Sequence, residues 1–139
     1  MNTIISVEGL ELPNKPFSNF EIIDAVKKLK IPAFRGVFVR DNLPLKPNKN
    51  ECGILNLDDT SGKGTHWVAW YRRNSKNFYF DSYGIQPPSE LKKYLKSPIL
   101  YNTEKIQPKG EVFCGHLCLY ILKQPSLRKN LQEVVNSLY

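Results

Sequence analysis

The sequence has few cysteines, few histidines and no long apolar run. Three cysteines cannot all pair within one chain, and two histidines without a Cys-x-x-Cys motif give no tetrahedral set of metal ligands. No apolar stretch approaches the roughly 18 residues that cross a bilayer, so no membrane partner is expected. The opening MNTIISVEGLEL has no basic region and reaches Glu8 early, so no secretory signal is predicted. We therefore expect reduced thiols, an intracellular setting and no metal.

The length and composition are those of a globular protein. A chain of 139 residues, 41% of them hydrophobic and 12% aromatic, is long enough for one domain, which we expect to extend over residues 1–139. The formal charge is +7, and the basic residues are spread through KKLK, KPNK, YRRNSK, KKYLK and RK without a dense block. Two interpretations stay open: a solvated lysine-rich surface, or an attraction to nucleic acid or an acidic partner.

The pattern along the chain predicts an α+β fold. A capping box at Ser18 and Glu21, with helical spacing of apolar residues after it, predicts a helix over residues 19–30. The segment IPAFRGVFVRDNLPLKP is expected to be irregular. CGILNL, HWVAWYR and NFYFDSY predict three strands, the last two as an antiparallel hairpin, and PILYNTEKI predicts a fourth. Further helices are predicted over PPSELKKYL with Ser89 as N-cap, over CGHLCLYILKQ as a buried helix ending at Pro125, and over SLRKNLQEVVNSLY.

The stretch EVFCGHLCLYIL places two cysteines and a histidine in an apolar run. Three interpretations compete: a metal site, a buried structural segment, or a reactive thiol at the start of a helix. If the helix begins at Cys114, Cys118 lies one turn on along the same face, whereas His116 is rotated by about 200° and cannot share an ion with them. The start of a helix instead favours thiolate at Cys114, because unpaired N–H groups and the helix dipole stabilise negative charge.

A base and an orienting acid are present in the predicted hairpin. His66 stands at the head of one strand in GTHWVAWY, and Asp81 ends the next strand in FYFDSYG. Because an antiparallel hairpin brings these positions to the same edge of a sheet, Asp81 can hold one imidazole nitrogen and leave the other to face a thiol. Taken singly, a buried cysteine, a histidine beside tryptophan and an aspartate before Ser-Tyr-Gly are each more often structural. Their joint order and spacing favour a Cys–His–Asp set.

These blocks resemble those of the adenovirus-type cysteine proteases (adenain) and their relatives, the ubiquitin-like-protein-specific proteases. Over about residues 64–122, GTHWVAWY, YFDSYG, a glutamine and FCGHLCLYIL follow the family order of histidine, acid, glutamine and cysteine. The resemblance implies a single-domain α+β fold of the papain-like cysteine protease type, with a mixed central sheet flanked by helices and the nucleophile at a helix N-terminus. The corresponding positions are His66, Asp81, Gln107 and Cys114 as catalytic residues, with Gln107 in the oxyanion hole, and Trp67 and Gly115 in the substrate cleft.

The resemblance implies a cysteine endopeptidase that cleaves viral or virus-like structural precursors after glycine-containing sites. We expect a monomer that acts inside the virion or the infected cell, in the nucleus or cytoplasm. FRGVFVRDNLP and NECGILNLDD are similar to the N-terminal part of proteases from adenovirus-like DNA viruses and large virus-like transposons. Two alternatives stay open: a protease that removes ubiquitin or ubiquitin-like modifiers, and a basic DNA-binding or capsid-associated module on a retired protease fold.

No cofactor is required for this chemistry, but the resemblance makes DNA or a peptide a candidate activator. Non-specific DNA binding is compatible with the charge of +7. The segment LKSPILYNTEKI lacks the cysteine that joins the peptide activator in the adenovirus enzyme. A disulfide-held activator would therefore have to use Cys52.

Overall fold

The computed structural model describes residues 5–7, 9–12, 15, 17–58, 66–96, 98–105 and 114–124. Within them, a hairpin of two short strands precedes a five-stranded sheet with three helices. The predicted helix over SLRKNLQEVVNSLY and the expected stop at Pro125 lie outside the described residues. In chain order the elements are β1 (Ile5–Val7), β2 (Leu10–Leu12), α1 (Asn19–Leu29), β3 (Phe34–Val39), β4 (Glu51–Asn56), β5 (Trp67–Arg73), β6 (Lys76–Phe80), α2 (Ser89–Leu95), β7 (Ile99–Tyr101) and α3 (Cys114–Lys123).

Helix α1 forms where the capping box predicts it. The Ser18 hydroxyl accepts a hydrogen bond from the backbone N–H of Glu21, and the Glu21 carboxylate accepts one from the backbone N–H of Ser18, both at 3.2 Å. The helix ends at Leu29, one residue before the predicted end, because Lys30 adopts a left-handed conformation with φ 56°. Helix α2 also forms as predicted, but Ser89 is its first residue. Pro88 occupies the N-cap position and offers no side-chain hydrogen bond.

The five-stranded sheet has the order β3-β4-β5-β6-β7. Antiparallel pairing joins β4, β5 and β6, whereas each edge strand, β3 and β7, is parallel to its neighbour. The predicted β5–β6 hairpin is confirmed, and its turn residues Asn74 and Ser75 have φ of 50° and 64°, as a type I′ turn requires. The prediction of an irregular segment after α1 was wrong, because its short apolar run forms β3. Strand β3 pairs with β4, which lies further along the chain, so no local sequence pattern reveals β3.

Helices cover both faces of the sheet. Alternate strand residues point to opposite faces, so Ile54, Ala69 and Phe80 pack with α1 and α3, while their neighbours Leu55, Val68 and Tyr79 pack with α2. Helix α3 is buried along most of its length, as its apolar sequence predicts. None of the described helices is long and apolar enough to cross a membrane. The architecture places the start of α3 beside the start of β5, which sets up the candidate site.

Candidate active site

The hairpin brings His66 and Asp81 together at one edge of the sheet. His66 immediately precedes β5, and Asp81 immediately follows β6, whose last residue pairs with Ala69. Imidazole Nε2 lies 2.6 Å from Asp81 Oδ1, and both side chains are buried. The other carboxylate oxygen, Oδ2, is buried and has no hydrogen-bond partner among the described residues. The hydrogen bonds that the carboxylate makes within the described residues are therefore concentrated on Oδ1.

Helix α3 carries Cys114 to the same place. Cys114 is the first residue of the helix and is partly exposed, whereas the rest of the helix packs over β5. The thiol lies close enough to the His66 ring for each group to shift the pKa of the other. Because Asp81 occupies Nε2, Nδ1 is the nitrogen left to face the thiol. The structure thus brings together three of the four predicted catalytic residues, as a thiol, an imidazole and a carboxylate.

The electrostatics of this row favour an ion pair. Burial alone would raise the pKa of the Cys114 thiol, but hydrogen bonds from His66 and from the backbone N–H groups of Trp67 and Gly115 outweigh it, so the pKa is lowered from its ordinary value. Burial alone would lower the pKa of His66, but hydrogen bonds and charge from Asp81 and Cys114 raise it to about 9. The lowered pKa of the thiol and the raised pKa of the imidazole both favour the thiolate and imidazolium forms of the pair.

The turn after β6 holds the acid in place. Asn102, which follows β7, is buried and makes two hydrogen bonds to the backbone of Asp81. Its Oδ1 accepts a hydrogen bond from the Asp81 N–H at 3.1 Å, and its Nδ2 donates one to the Asp81 carbonyl at 2.7 Å. Gly84 closes the turn with φ 72°, and a Cβ there would lie 2.7 Å from the Thr103 carbonyl oxygen. Tyr83, between them, stacks on the His66 ring. Sequence reasoning missed Asn102 and Tyr83, because neither belongs to the His–Asp–Cys pattern.

Phe17, just before α1, fixes the start of α3. Its carbonyl accepts a hydrogen bond from the Trp67 indole at 3.1 Å, and its ring stacks on His116 with centroids 4.2 Å apart. A Cβ on Gly115 would lie 3.0 Å from the Phe17 ring and 3.3 Å from the Trp67 ring. Gly115 is buried and Trp67 partly buried, so both have a packing role at this junction. Their predicted positions in a substrate cleft remain a prediction.

The other residues singled out in the sequence lie in different surroundings. Cys118 is completely buried, and burial raises the pKa of its thiol well above the ordinary value. Cys52 is also buried, donates to the Pro32 carbonyl at 3.5 Å, and has its pKa raised to about 12 by burial. A disulfide to an activator at Cys52 would need this side chain to leave the core. Gln107 lies outside the described residues.

The ion pair predicts an unusual pH dependence of thiol alkylation. We expect iodoacetamide to modify Cys114 rapidly at pH 6–7. An ordinary cysteine is mostly protonated in this range, because its pKa is about 8.5. His66→Ala removes the cation that stabilises the thiolate, so modification at pH 7 should slow by at least about tenfold and recover only at higher pH. Mass spectrometry of the adducts measures this, with buried Cys52 and Cys118 as internal controls. Equal rates in both proteins across the pH range would contradict the ion pair.

The mixed central sheet flanked by helices, with Cys114 at a helix N-terminus, is the α+β architecture that the sequence predicted, and its fold is similar to that of a protease of known structure. The crystal structure of the ASFV pS273R protease matches 91% of this chain with a TM-score of 0.64 at 16% identity. A selenomethionine crystal structure of the same protease matches 89% of it, with a TM-score of 0.58, also at 16% identity. The chain spans 63% of the length of that protease. No protein-family profile and no curated protein sequence matches this chain.

Proposed function

We propose that the chain is a cysteine endopeptidase. The observation that carries the proposal is the buried pair of His66 and Asp81, with Nε2 and Oδ1 2.6 Å apart, next to a thiol of lowered pKa at the start of α3. A structural cysteine would be buried with a raised pKa, as Cys52 and Cys118 are. Cys114 is the nucleophile, His66 the acid and base, and Asp81 the group that orients the imidazole.

The proposed reaction follows from the resting ion pair. The Cys114 thiolate attacks the peptide carbonyl carbon, and the new oxyanion takes hydrogen bonds from the backbone N–H of Cys114 and the side-chain amide of Gln107. The protonated His66 gives its proton to the departing amine, which leaves a thioester on the sulfur. Water, deprotonated by His66, then attacks the thioester and releases the acid product and the free thiol. Throughout, Asp81 stabilises the imidazolium and holds the ring in one orientation.

The proposed substrates are viral or virus-like structural precursors, which a monomer cuts after glycine-containing sites inside the virion or infected cell. The similarity of the fold to that of a viral protease supports a protease in a viral setting, and the removal of ubiquitin-like modifiers is the alternative. Fluorogenic peptides with glycine, alanine or leucine before the scissile bond test the specificity. Preference for glycine with no cleavage of ubiquitin-like fusions supports the precursor protease. Cleavage of the fusions alone supports the alternative, and no cleavage with a slowly alkylated Cys114 supports a retired fold.

Gln107→Ala tests the oxyanion donor. Loss of one hydrogen bond formed only in the transition state should lower kcat by roughly 10²–10³-fold, with little change in KM. Gln86→Ala is the matched control, because Gln86 is an exposed amide whose contact within the described residues is a surface hydrogen bond accepted from Lys92. Stopped assays of initial rate at several substrate concentrations separate kcat from KM. Wild-type kcat in the Gln107 variant would remove that residue from the site.

We further propose that DNA contacts the chain through the end of the sheet remote from Cys114. There, the far ends of β5 and α3 border a cavity of about 620 Å³ whose lining includes Lys30, Arg73 and Lys123. Lys76 pairs directly with Arg73 across the hairpin, although like charges in that position are destabilising. Glu51, an acid in the same lining, is already engaged by Arg35. Basic residues from separate segments thus come together at one end.

Binding to DNA should be weak, independent of sequence and steeply dependent on salt. If six or more phosphates are contacted, affinity should fall by orders of magnitude between about 50 and 200 mM salt. Arg73→Glu with Lys76→Glu should weaken it at least about tenfold more than Lys92→Glu with Lys93→Glu, a matched pair of exposed sites on α2. Fluorescence anisotropy with two unrelated duplexes measures this. Absence of binding at 50 mM salt would reject DNA as an activator.

A further inference from the structure

One face of the His66 imidazole is covered by the ring of Tyr83. The two centroids are 4.2 Å apart, and the ring planes differ by only 5°. The backbone N–H of Tyr83 donates to Asp81 Oδ1 at 2.8 Å, and the same oxygen binds His66 Nε2. One short turn therefore supplies both the carboxylate at the edge of the imidazole and the aromatic ring on its face.

This geometry has a direct physical consequence. A cation within about 6 Å of an aromatic centroid, over its face, is attracted by the negative charge of the π system. The attraction acts on the imidazolium and not on the neutral imidazole, so the stacked ring stabilises one protonation state more than the other. A face-on contact also hinders rotation of the imidazole out of the line between Asp81 and Cys114.

We propose that Tyr83 is a positioning residue of the candidate active site, whose ring holds the His66 imidazole between Asp81 and Cys114 and favours its protonated form through the π face. This inference rests on the proposed function for its role in catalysis. Its effect on the titration of His66, however, can be measured without any turnover. Tyr83 is only partly buried, so its replacement should leave the fold intact.

Other charged and titratable groups also act on the His66 imidazole and the Asp81 carboxylate. Because each variant changes Tyr83 alone, their contributions stay constant in the comparison. They are Asp81 and Cys114 on the imidazole itself, Lys105 with its Nζ 6.0 Å from the Tyr83 centroid, and Tyr79 and Cys118 near Asp81.

Three substitutions distinguish the effect of the aromatic π face on His66 from the effect of the hydroxyl group and from that of covering the imidazole with an apolar side chain. Tyr83→Phe keeps the ring and loses the hydroxyl, Tyr83→Leu keeps an apolar cover without a π face, and Tyr83→Ala removes both. We expect the Phe variant to behave as wild type. The Leu and Ala variants should lower the pKa of His66 by about 0.5 to 1 from its raised value of about 9, and alkylation of Cys114 at pH 7 should change little because the imidazole stays mostly protonated there.

The pKa of His66 is read from the imidazole proton resonances in NMR titrations, with the second histidine resonance assigned through a His116→Gln variant. In peptide cleavage, the alkaline limb of the kcat/KM profile should move down in the Leu variant and stay in place in the Phe variant. A wild-type pKa in the Leu variant would overturn the proposal, even if the Ala variant shifts. A shift in the Phe variant equal to that in the Leu variant would overturn it too, because the hydroxyl would then be responsible.

The two hypotheses fail in different ways. If the chain cleaves no peptide but the Leu variant still shifts the His66 titration, the endopeptidase proposal falls and the role of Tyr83 in setting the imidazole charge stands. If wild-type cleavage is robust and the Leu variant leaves both the titration and the pH profile unchanged, the endopeptidase stands and the role of Tyr83 falls.

Discussion

Cys114→Ala is expected to reduce peptide cleavage by at least about 10⁴-fold while leaving the fold intact. The substitution removes the sulfur that attacks the carbonyl, and no covalent intermediate can then form. Cys114 is partly exposed at the first residue of α3, so the smaller side chain costs little packing. Initial rates with a fluorogenic peptide measure the loss, and an unchanged melting temperature shows that the fold persists.

Cys118→Ala is the matched control, since it is the same substitution one helical turn further along α3. Cys118 is completely buried, and its raised pKa keeps it a neutral thiol that packs in the core. Activity should stay within about threefold of wild type, while the cavity left behind lowers the free energy of unfolding by about 1 kcal/mol. If the Cys118 variant were inactive and the Cys114 variant active, the nucleophile would be assigned wrongly.

The juxtaposition of His66 and Asp81 could be predicted because its signals are local. Two aromatic-rich strands joined by a short polar turn form a hairpin, and the positions flanking a hairpin meet at one edge. The start of α3 at Cys114 was likewise readable from the apolar run that follows it. Pattern alone could bring the acid and the base together. The resemblance to a known family was needed to place the Cys114 thiol opposite them.

The supports of the site could not be predicted in this way. Asn102 reaches Asp81 across 21 positions of sequence, and Phe17 reaches Trp67 across 50. Such contacts depend on tertiary packing and leave no periodic trace. Tyr83 is two residues from Asp81, yet only the observed turn shows that its ring lies on the imidazole. The basic residues around the cavity at the far end of the sheet are scattered in the sequence, because the fold gathers them from the residue after α1, the β5–β6 hairpin and α3.

Glu51 is the clearest case of a residue whose role the sequence hides. It precedes CGILNL and reads as a polar strand end, but its side chain has no exposed surface. Oε1 accepts hydrogen bonds from Arg35 at 2.9 Å and from the backbone N–H of Asn48 at 2.7 Å. Oε2 accepts from the Trp70 indole at 2.9 Å and the Tyr94 hydroxyl at 2.6 Å. One carboxylate therefore joins the start of β4 to β3, β5 and α2.

Glu51→Ala is expected to lower the free energy of unfolding by about 3–5 kcal/mol, because it leaves four donors without their acceptor and a cation without its partner. Such a loss is a large fraction of the total for a domain of this size, roughly 5–15 kcal/mol. Glu90→Ala is the control: its ion pair with Arg40, at 3.4 Å, is partly exposed, so the loss should stay below about 1 kcal/mol. Denaturant titrations followed by tryptophan fluorescence measure the free energy of unfolding of both variants.

Because Glu51 lies at the far end of β4 and β5 from His66, Cys114 in the folded fraction of the Glu51→Ala variant should still be alkylated at the wild-type rate. Equal losses in the two variants would show that the buried carboxylate does not hold these elements together.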